Sequence, residues 1–340
     1  MKAFASDNWA GVAPEIMKAL NDANFEHCPA YGEDDPYVKK AIDAFKKEFG
    51  DSIEVFFVYN GTGANVLSVQ NCISSFHSII TPETCHMNVD ETGAPEKVTG
   101  SKINAISTPE GKLRPSDIDC FVPNIGVMHH SQPKIVSISQ VTELGTLYSI
   151  EEIKALSEKA HKHGMYLHMD GARLANAAVA LGKEFREFTV DAGVDVLSFS
   201  GTKNGLMFGE AVVFFKPELA KDFLYYRKQC LQLHSKMRFI AAQYEAYLTQ
   251  RLWEKNAKQA NGMANLLAKG IEALPGFELI QNVDSNGVFF KMPAYLIPKL
   301  QELSFFWVWN HQRSEVRLMC AFDTTKEEVE VFLEETRKLL

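Results

Sequence analysis

The sequence predicts an α/β protein, with a mostly parallel sheet in a large domain and a smaller C-terminal α+β domain behind it. Three observations carry this. Apolar strand-like runs alternate with helix-like runs from about residue 50 to 215, the signature of a parallel sheet covered on both faces. Past about residue 240 the alternation gives way to shorter strands and a closing helix. Four turns that each follow a strand carry Gly61 and Thr62, Gln140 to Glu143, Asp170, and Lys203. In open sheets of this class, ligands sit beyond the carboxyl ends of the strands. The expected division is an N-terminal arm over 1–14, a large domain over 15–240 and a small domain over 241–340.

Taken in order, Pro14 suits the first turn of a helix read over 15–23. Residues 24–37 form a loop whose aromatic and acidic side chains either line a pocket or face solvent. Val38, Ala41, Ile42, Phe45 and Phe49 share one face of a helix. A buried-type strand over 54–59 runs into Asn60-Gly-Thr-Gly-Ala-Asn65 and then a helical run over 66–76. Strand, glycine turn and helix point backbone N–H groups at a phosphate, although many ligand-free turns look the same. The turn lacks the lysine of a nucleotide P-loop, which counts against ATP.

A short strand over 78–80 precedes a polar loop over 85–95, with His86 near its start. Residues 119–131 read as a linker. Next comes a strand over 134–139, then a helix over 150–163 with acids early and bases late. Its His161 and His163 are read at the solvated end, and Gly164 as the cap. Strands end at Asp170 and Ser200, with a helix over 174–181 between them and a further strand over 211–215. Residues 219–273 are helical, and Pro275-Gly276 ends them. Strands over 277–281, 287–292, 307–309 and 316–320, a helix over 294–303 and a closing helix over 326–339 complete the chain.

Composition bounds the function classes. Of 340 residues, 46% are hydrophobic and 23% charged, ordinary for a globular protein. A net charge of −8 and a pI near 5.7 argue against a nucleic-acid footprint. The six cysteines are scattered with no CxxC pair, so they read as reduced thiols. No signal-peptide core and no membrane-length apolar run stands out. A cytoplasmic protein with neither membrane nor nucleic-acid partner is expected, and no metal site.

The chemistry centres on Asp195 to Gly209. Its strand breaks into a glycine-rich turn carrying Lys203, flanked by Thr202 and Asn204. A lone lysine there is commonly a surface residue. Just past a buried strand, however, desolvation favours the neutral amine that attacks carbonyls. A second strand, Tyr166 onward, ends in Asp170 and Arg173. A lysine and an acid at neighbouring strand ends suit pyridoxal phosphate: the lysine holds the aldehyde, and the acid pairs with the ring nitrogen.

His168-Met-Asp-Gly-Ala-Arg173 and Gly201-Thr-Lys-Asn-Gly205, in this order and spacing, resemble the low-specificity L-threonine aldolases. These are pyridoxal phosphate enzymes of the aspartate-aminotransferase-like fold, fold type I. The resemblance extends through Ser6-Asp7-Asn8, Tyr31-Gly-Glu-Asp34, the Asn60–Asn65 turn, His86 and Glu-Val-Arg317-Leu. It implies that Lys203 carries the cofactor as a Schiff base and that Asp170 pairs with its ring nitrogen. Arg173 lies near the ring hydroxyl, Gly61 and Thr62 hold the phosphate, and His86 stacks on the ring. Ser6, Tyr31 and Arg317 serve the substrate, an amino acid, with Ser6 and Arg317 on its carboxylate.

The implied reaction cleaves a β-hydroxy-α-amino acid such as L-threonine or L-allo-threonine into glycine and an aldehyde, in a homodimer or homotetramer. Two positions depart from the family: Thr202 stands where many members have serine, and Glu143 where many have a second histidine. The base that takes the β-hydroxyl proton is therefore His86, Glu143 or a water. A β-eliminating lyase, an aminotransferase or a hydroxymethyl transferase can use the same scaffold. A non-catalytic binding protein is the rival of another class, and the intact Lys203 and Asp170 disfavour it.

Overall fold

Seven strands form the central sheet: β1 Glu54–Val58, β2 His77–Pro82, β3 Lys102–Ile106, β4 Gln132–Ser139, β5 Tyr166–Gly171, β6 Val196–Ser200 and β7 Glu210–Phe214. The structure is a computed structural model and describes residues 2–340. The spatial order is β1-β7-β6-β5-β4-β2-β3. Strands β3, β2, β4, β5 and β6 pair in parallel, while β7 runs antiparallel to both β6 and β1. The sheet is thus mostly parallel, as the alternation predicts. Its registers set Ser139 beside Asp170, Asp170 beside Ser198, and Ser200 beside Glu210. The chemistry-bearing residues share one edge because the strands that carry them end together.

The glycine turn after β1 differs from the expectation. Asn60 is the N-cap, accepting from Gly63 N–H at 2.8 Å, and the helix runs Gly61–Gln70. The turn is therefore the helix's own first turn. Residues Gly63 to Val69 are all buried, so no amphipathic period marks the true start, and packing outweighs the low helix propensity of glycine. The stretch expected as a loop over 85–95 holds the short helix His86–Val89 and the start of another, Ala94–Thr99. Edge strand β3 is half-exposed along its length, which is why its pattern is weak.

The second sheet contains β8 Glu278–Leu279, β9 Gly287–Lys291, β10 Trp307–Asn310 and β11 Glu315–Met319, in order β10-β11-β9-β8 and antiparallel throughout. Its apolar face packs with the helix Lys326–Leu339 and with Phe4 from the N-terminal arm. Met319 N–H donates to the Phe4 carbonyl at 2.8 Å, so the arm is tied to the second sheet. The helix Leu252–Glu272 joins the two cores: Trp253 and Ala257 belong to the first, Ala264 and Ile271 to the second. A boundary at 240/241 divides the helix Arg238–Thr249, whose buried side chains lie in the first core.

His161 lies at the exposed end of its helix, as expected, but it is not without a partner. Its Nε2 lies 2.8 Å from Asp195 Oδ2, and Lys216 lies 2.6 Å from the other oxygen of that buried carboxylate. Among the described residues, no helix is long and apolar enough to cross a membrane.

Candidate active site

Two cavities meet at the carboxyl edge of the large sheet. The first, of about 370 Å³, is lined by Gly61, Thr62, Asn65, Asp170, Ser198 and Glu210, among others. The second, of about 520 Å³, is lined by Ser6, Glu143, Arg173, Trp309 and Arg317, among others. Asn8, His86 and Lys203 line both. The chain thus builds a chamber with a helix N-terminus at one end and an arginine at the other, divided by a lysine and a histidine.

Lys203 owes its place to a short 3-10 turn, Thr202–Asn204, entered directly from β6. Asn204 pins that turn by donating to Tyr247 Oη at 2.8 Å and to the Trp253 carbonyl at 2.9 Å. Gly205 follows at φ +105°, where a Cβ would lie 2.7 Å from Asn256 and 3.1 Å from Ala13. Only glycine fits that bend. Burial pushes the Lys203 ammonium below its ordinary value and the Arg173 charge adds to this, while Asp7, Asp170 and Glu210 oppose it. The net direction favours the nucleophilic amine.

Asp170 accepts from Asn65 Nδ2 at 2.8 Å and from Ala172 N–H at 2.9 Å. Beneath it, buried His168 bonds Ser137 Oγ at 2.8 Å and Ser198 Oγ at 3.0 Å. Burial drives its imidazole down to about 4, so it is a neutral structural histidine. Glu210 is also buried, and burial pushes its carboxyl up to about 7.

His86 sits on the dividing wall. Its backbone N–H donates to Glu143 Oε1 at 2.9 Å, and its ring Nδ1 lies 2.8 Å from Glu91 Oε1. The Glu91 hydrogen bond raises the imidazole against the opposing effect of burial. Glu143 Oε1 also accepts from Ser139 Oγ at 2.8 Å, while Oε2 is buried without a partner. Burial, with Asp170 nearby, pushes this carboxyl up. Glu143 lines the second cavity, and a carboxyl shifted in this direction is a candidate for proton transfer there.

Arg173 is held bidentately by Asp7, at 2.7 and 2.9 Å. Burial pushes the Asp7 carboxyl up, but Arg173 prevails and holds it below the ordinary range. Asn286 donates to the same carboxylate at 2.9 Å. This buried pair fixes the arm and sets Ser6 at the second cavity, where Ser6 Oγ accepts from Asn8 N–H at 3.1 Å. Arg317 lies on β11 with Val316 and Leu318 buried on the opposite face. Its guanidinium lies 5.2 Å from the Trp309 ring centroid, and its Nε is buried without a partner. Glu315 faces Arg313 at 3.5 Å, and Asp323 faces Lys2 at 3.2 Å. Neither neutralises Arg317.

The structure therefore brings Lys203, His86, Asp170, Gly61, Thr62, Glu143, Arg173, Ser6 and Arg317 to one chamber. Tyr31 is the exception. It is exposed, bonds Ser235 Oγ at 2.9 Å, and lines neither cavity within the chain. Sequence reasoning passed over Asp7, Asn8, Asn65, Glu91 and Glu210. The first three lie inside motifs it had singled out, next to the residues chosen. Glu91 follows His86 by five residues in what read as a loop.

The chamber fits pyridoxal phosphate. Asn60 occupies the Gly63 N–H, and Ala64 N–H bonds the Asn60 carbonyl at 3.0 Å. This leaves the Gly61 and Thr62 N–H groups for an anion at a ten-residue helix's N-terminus. No atom lies within 4 Å of where a Cβ of Gly61 would be, so a phosphate can approach the backbone closely. Lys203 and Asp170 complete the set that the aldehyde and the ring nitrogen require.

Comparison with known proteins agrees. Residues 3–294 match the family described as beta-eliminating lyase. The chain is 40% identical over 338 residues to the low specificity L-threonine aldolase of Pseudomonas sp., covering 99% of this chain and 97% of that protein. The threonine aldolase of Leishmania major superposes with a TM-score of 0.94 at 28% identity, covering 100% of this chain and 99% of that one. A structure of Oryza sativa TDC with PLP and tryptamine shares the fold at a TM-score of 0.76 and 12% identity, covering 96% of this chain and 81% of that one.

Proposed function

The chain belongs to the beta-eliminating lyase family, and from that premise we propose that it is a pyridoxal phosphate-dependent aldolase cleaving L-threonine and L-allo-threonine to glycine and acetaldehyde. The observation that carries this is the shared wall. Lys203 and His86 stand between an anion-binding helix end and an unpaired arginine.

Gly61 and Thr62 would hold the phosphate, Asp170 the ring nitrogen and Lys203 the aldehyde carbon, with Arg173 available to the ring hydroxyl. The bound cofactor supplies the electron sink for the charge left at Cα when the Cα–Cβ bond breaks. Arg317 and Ser6 grip the α-carboxylate, which orients the β-hydroxyl toward the His86 and Glu143 side. One of these two accepts the hydroxyl proton as the aldehyde forms, either directly or through a water. The His86 backbone N–H donates to Glu143 Oε1, which keeps the Glu143 carboxyl beside the segment that carries the imidazole.

We place the enzyme in a homo-oligomer, a dimer or tetramer. Phe25, Tyr59 and Leu231 are 69%, 48% and 89% exposed, and such apolar exposure suits a subunit contact. Tyr31, on the same loop as Phe25, reaches a substrate only across that contact. Product analysis with L-threonine tests the function. Glycine plus acetaldehyde is expected; 2-oxobutanoate plus ammonia would make the enzyme an eliminating lyase, and a keto acid without acetaldehyde a transaminase.

A further inference from the structure

Glu91 is buried, 4% exposed, and sits outside the residues assigned above. Its Oε1 lies 2.8 Å from His86 Nδ1 and 2.9 Å from Asn65 Nδ2. The same Asn65 nitrogen lies 2.8 Å from Asp170 Oδ2. One amide group therefore spends its two hydrogens on two carboxylates. The amide's orientation is fixed: turned over, its carbonyl would face both carboxylates. Asn65 Oδ1 and Glu91 Oε2 are buried without partners, so neither offers an alternative arrangement.

These contacts constrain the histidine. Burial pushes the Glu91 carboxyl up, and its hydrogen bonds to His86 and Asn65 oppose this. With Glu91 ionised, a bare Nδ1 would set a lone pair against an oxygen that already accepts from Asn65. With hydrogen on Nδ1, each of the three contacts that link His86, Glu91, Asn65 and Asp170 pairs a donor with an acceptor. The other ring nitrogen, Nε2, has no protein partner among the described residues, and His86 lines both cavities.

We propose that Glu91 is a positioning residue. It fixes His86 as the Nδ1–H tautomer, so that Nε2 is a bare acceptor for the substrate's β-hydroxyl proton. Asn65 locks that geometry to Asp170, the partner of the cofactor ring nitrogen. The inference rests on the aldolase reading for its catalytic consequence, but the tautomer is a property of the protein alone. On proton transfer the hydroxyl hydrogen moves to Nε2, the O–H electron pair becomes the aldehyde's second C–O bond, and the Cα–Cβ bond breaks with its pair left at Cα. Glu91 then faces an imidazolium whose charge it stabilises without taking the proton.

The test is nitrogen NMR on protein labelled with 15N-histidine, with and without cofactor, the His86 signals being assigned by their loss in His86→Asn. Above the pKa of His86, the wild type should show Nδ1 protonated and Nε2 bare. Glu91→Gln should populate the Nε2–H tautomer and keep the visible cofactor band. It should lower kcat on the order of 10- to 100-fold with KM nearly unchanged, a fraction of what general-base catalysis contributes. The acid limb of kcat against pH should also move to lower pH. The charges facing His86 are Glu91 and Asp90 from its own segment, Asp170 from β5, Glu143 after β4 and Lys203 after β6, and the variant removes the first. A merely structural Glu91 would leave tautomer and pH limb in place.

Nε2–H in the wild type, or an unchanged tautomer in Glu91→Gln, overturns the inference. The wild-type measurement decides it even if the variant does not fold. A wild type that shows the expected tautomer but yields no acetaldehyde refutes the aldolase reading and leaves the Glu91 contact standing.

Discussion

Arg317→Lys separates a substrate clamp from an ordinary surface arginine. The guanidinium has no acid in reach: its nearest protein acceptor is the Ala5 carbonyl, 3.5 Å from Nη2, and its Nε is buried and bare. Burial pushes its pKa down to about 10, Arg173 adds to that, and Asp7 and Asp90 only partly oppose it. An unpaired, partly desolvated cation beside a cavity is what a carboxylate would relieve. Losing a buried bidentate charge pair costs about 2–5 kcal/mol. Lysine keeps the charge but not the fork, so the expected loss lies near the low end, roughly 2–3 kcal/mol, or about 30- to 150-fold in KM for L-threonine. The assay is steady-state acetaldehyde release alongside the cofactor's visible spectrum, which should not change. Thermal unfolding of Arg317→Met gives a second reading. Replacing an unpaired buried charge by an apolar side chain should leave the melting temperature unchanged or raised. An unchanged KM in the lysine variant, or a core-sized stability loss in the methionine one, would refute the reasoning.

Lys203→Ala should lose the visible absorbance of lysine-bound cofactor, with activity at background; a borohydride-fixed cofactor on a peptide from any other lysine would contradict that. Asp170→Asn keeps the shape and removes the charge, so cofactor should stay bound while turnover falls sharply, and near-normal turnover would remove the argument. Burial pushes the Glu210 carboxyl up to about 7 from an ordinary 4.5. Its protonated form is the stabilised one, so its contribution is complete below about pH 4.5 and lost as pH rises through 7, about 3 kcal/mol in all. Cofactor-free Glu210→Gln should lack that decline in denaturant titrations, and parallel pH slopes for the two proteins would count against it. Dilution should cost activity as oligomers dissociate, and a fully active monomer by light scattering would exclude a site completed by a second subunit.

What was legible in the sequence follows the strength of local patterns. Strands β5 and β6 and the helices Leu174–Leu181 and Lys326–Leu339 lie where apolar runs and caps place them. Thr325 caps the last with its side chain on Glu328 N–H, and Glu328 returns to Thr325 N–H. The helix Gly61–Gln70 and strand β3 were harder, for opposite reasons. The first is buried all round and has no period; the second is half-exposed and has a faint one. The site was legible where a motif carries its own chemistry, as with Lys203 and Asp170. It was not legible where a residue's meaning comes from a partner far away in sequence. Asn65 meets Asp170 105 positions later, and Asp7 meets Arg173 166 positions later. No local pattern announces such a pair.

That last pair decides how the site's cations divide the work. The second cavity contains two arginines, and either could in principle take a substrate carboxylate. Arg173 has its Nε and Nη2 hydrogens committed to Asp7, which is 1% exposed and further held by Asn286. To free Arg173, a substrate would have to leave a buried carboxylate unpaired, which costs about 3–5 kcal/mol. Arg317 carries no such commitment. Its fork faces only a long contact to a carbonyl and an aromatic ring. This favours Arg317 as the proposed carboxylate site, and leaves Arg173 as a fixed charge whose field, with burial, pushes Lys203 toward the neutral amine. The arm that supplies Asp7 is itself tied to the second sheet through Phe4. One short segment thus holds the Arg173 guanidinium and positions Ser6, and it links the sheet edge that carries Lys203 to the strand that carries Arg317.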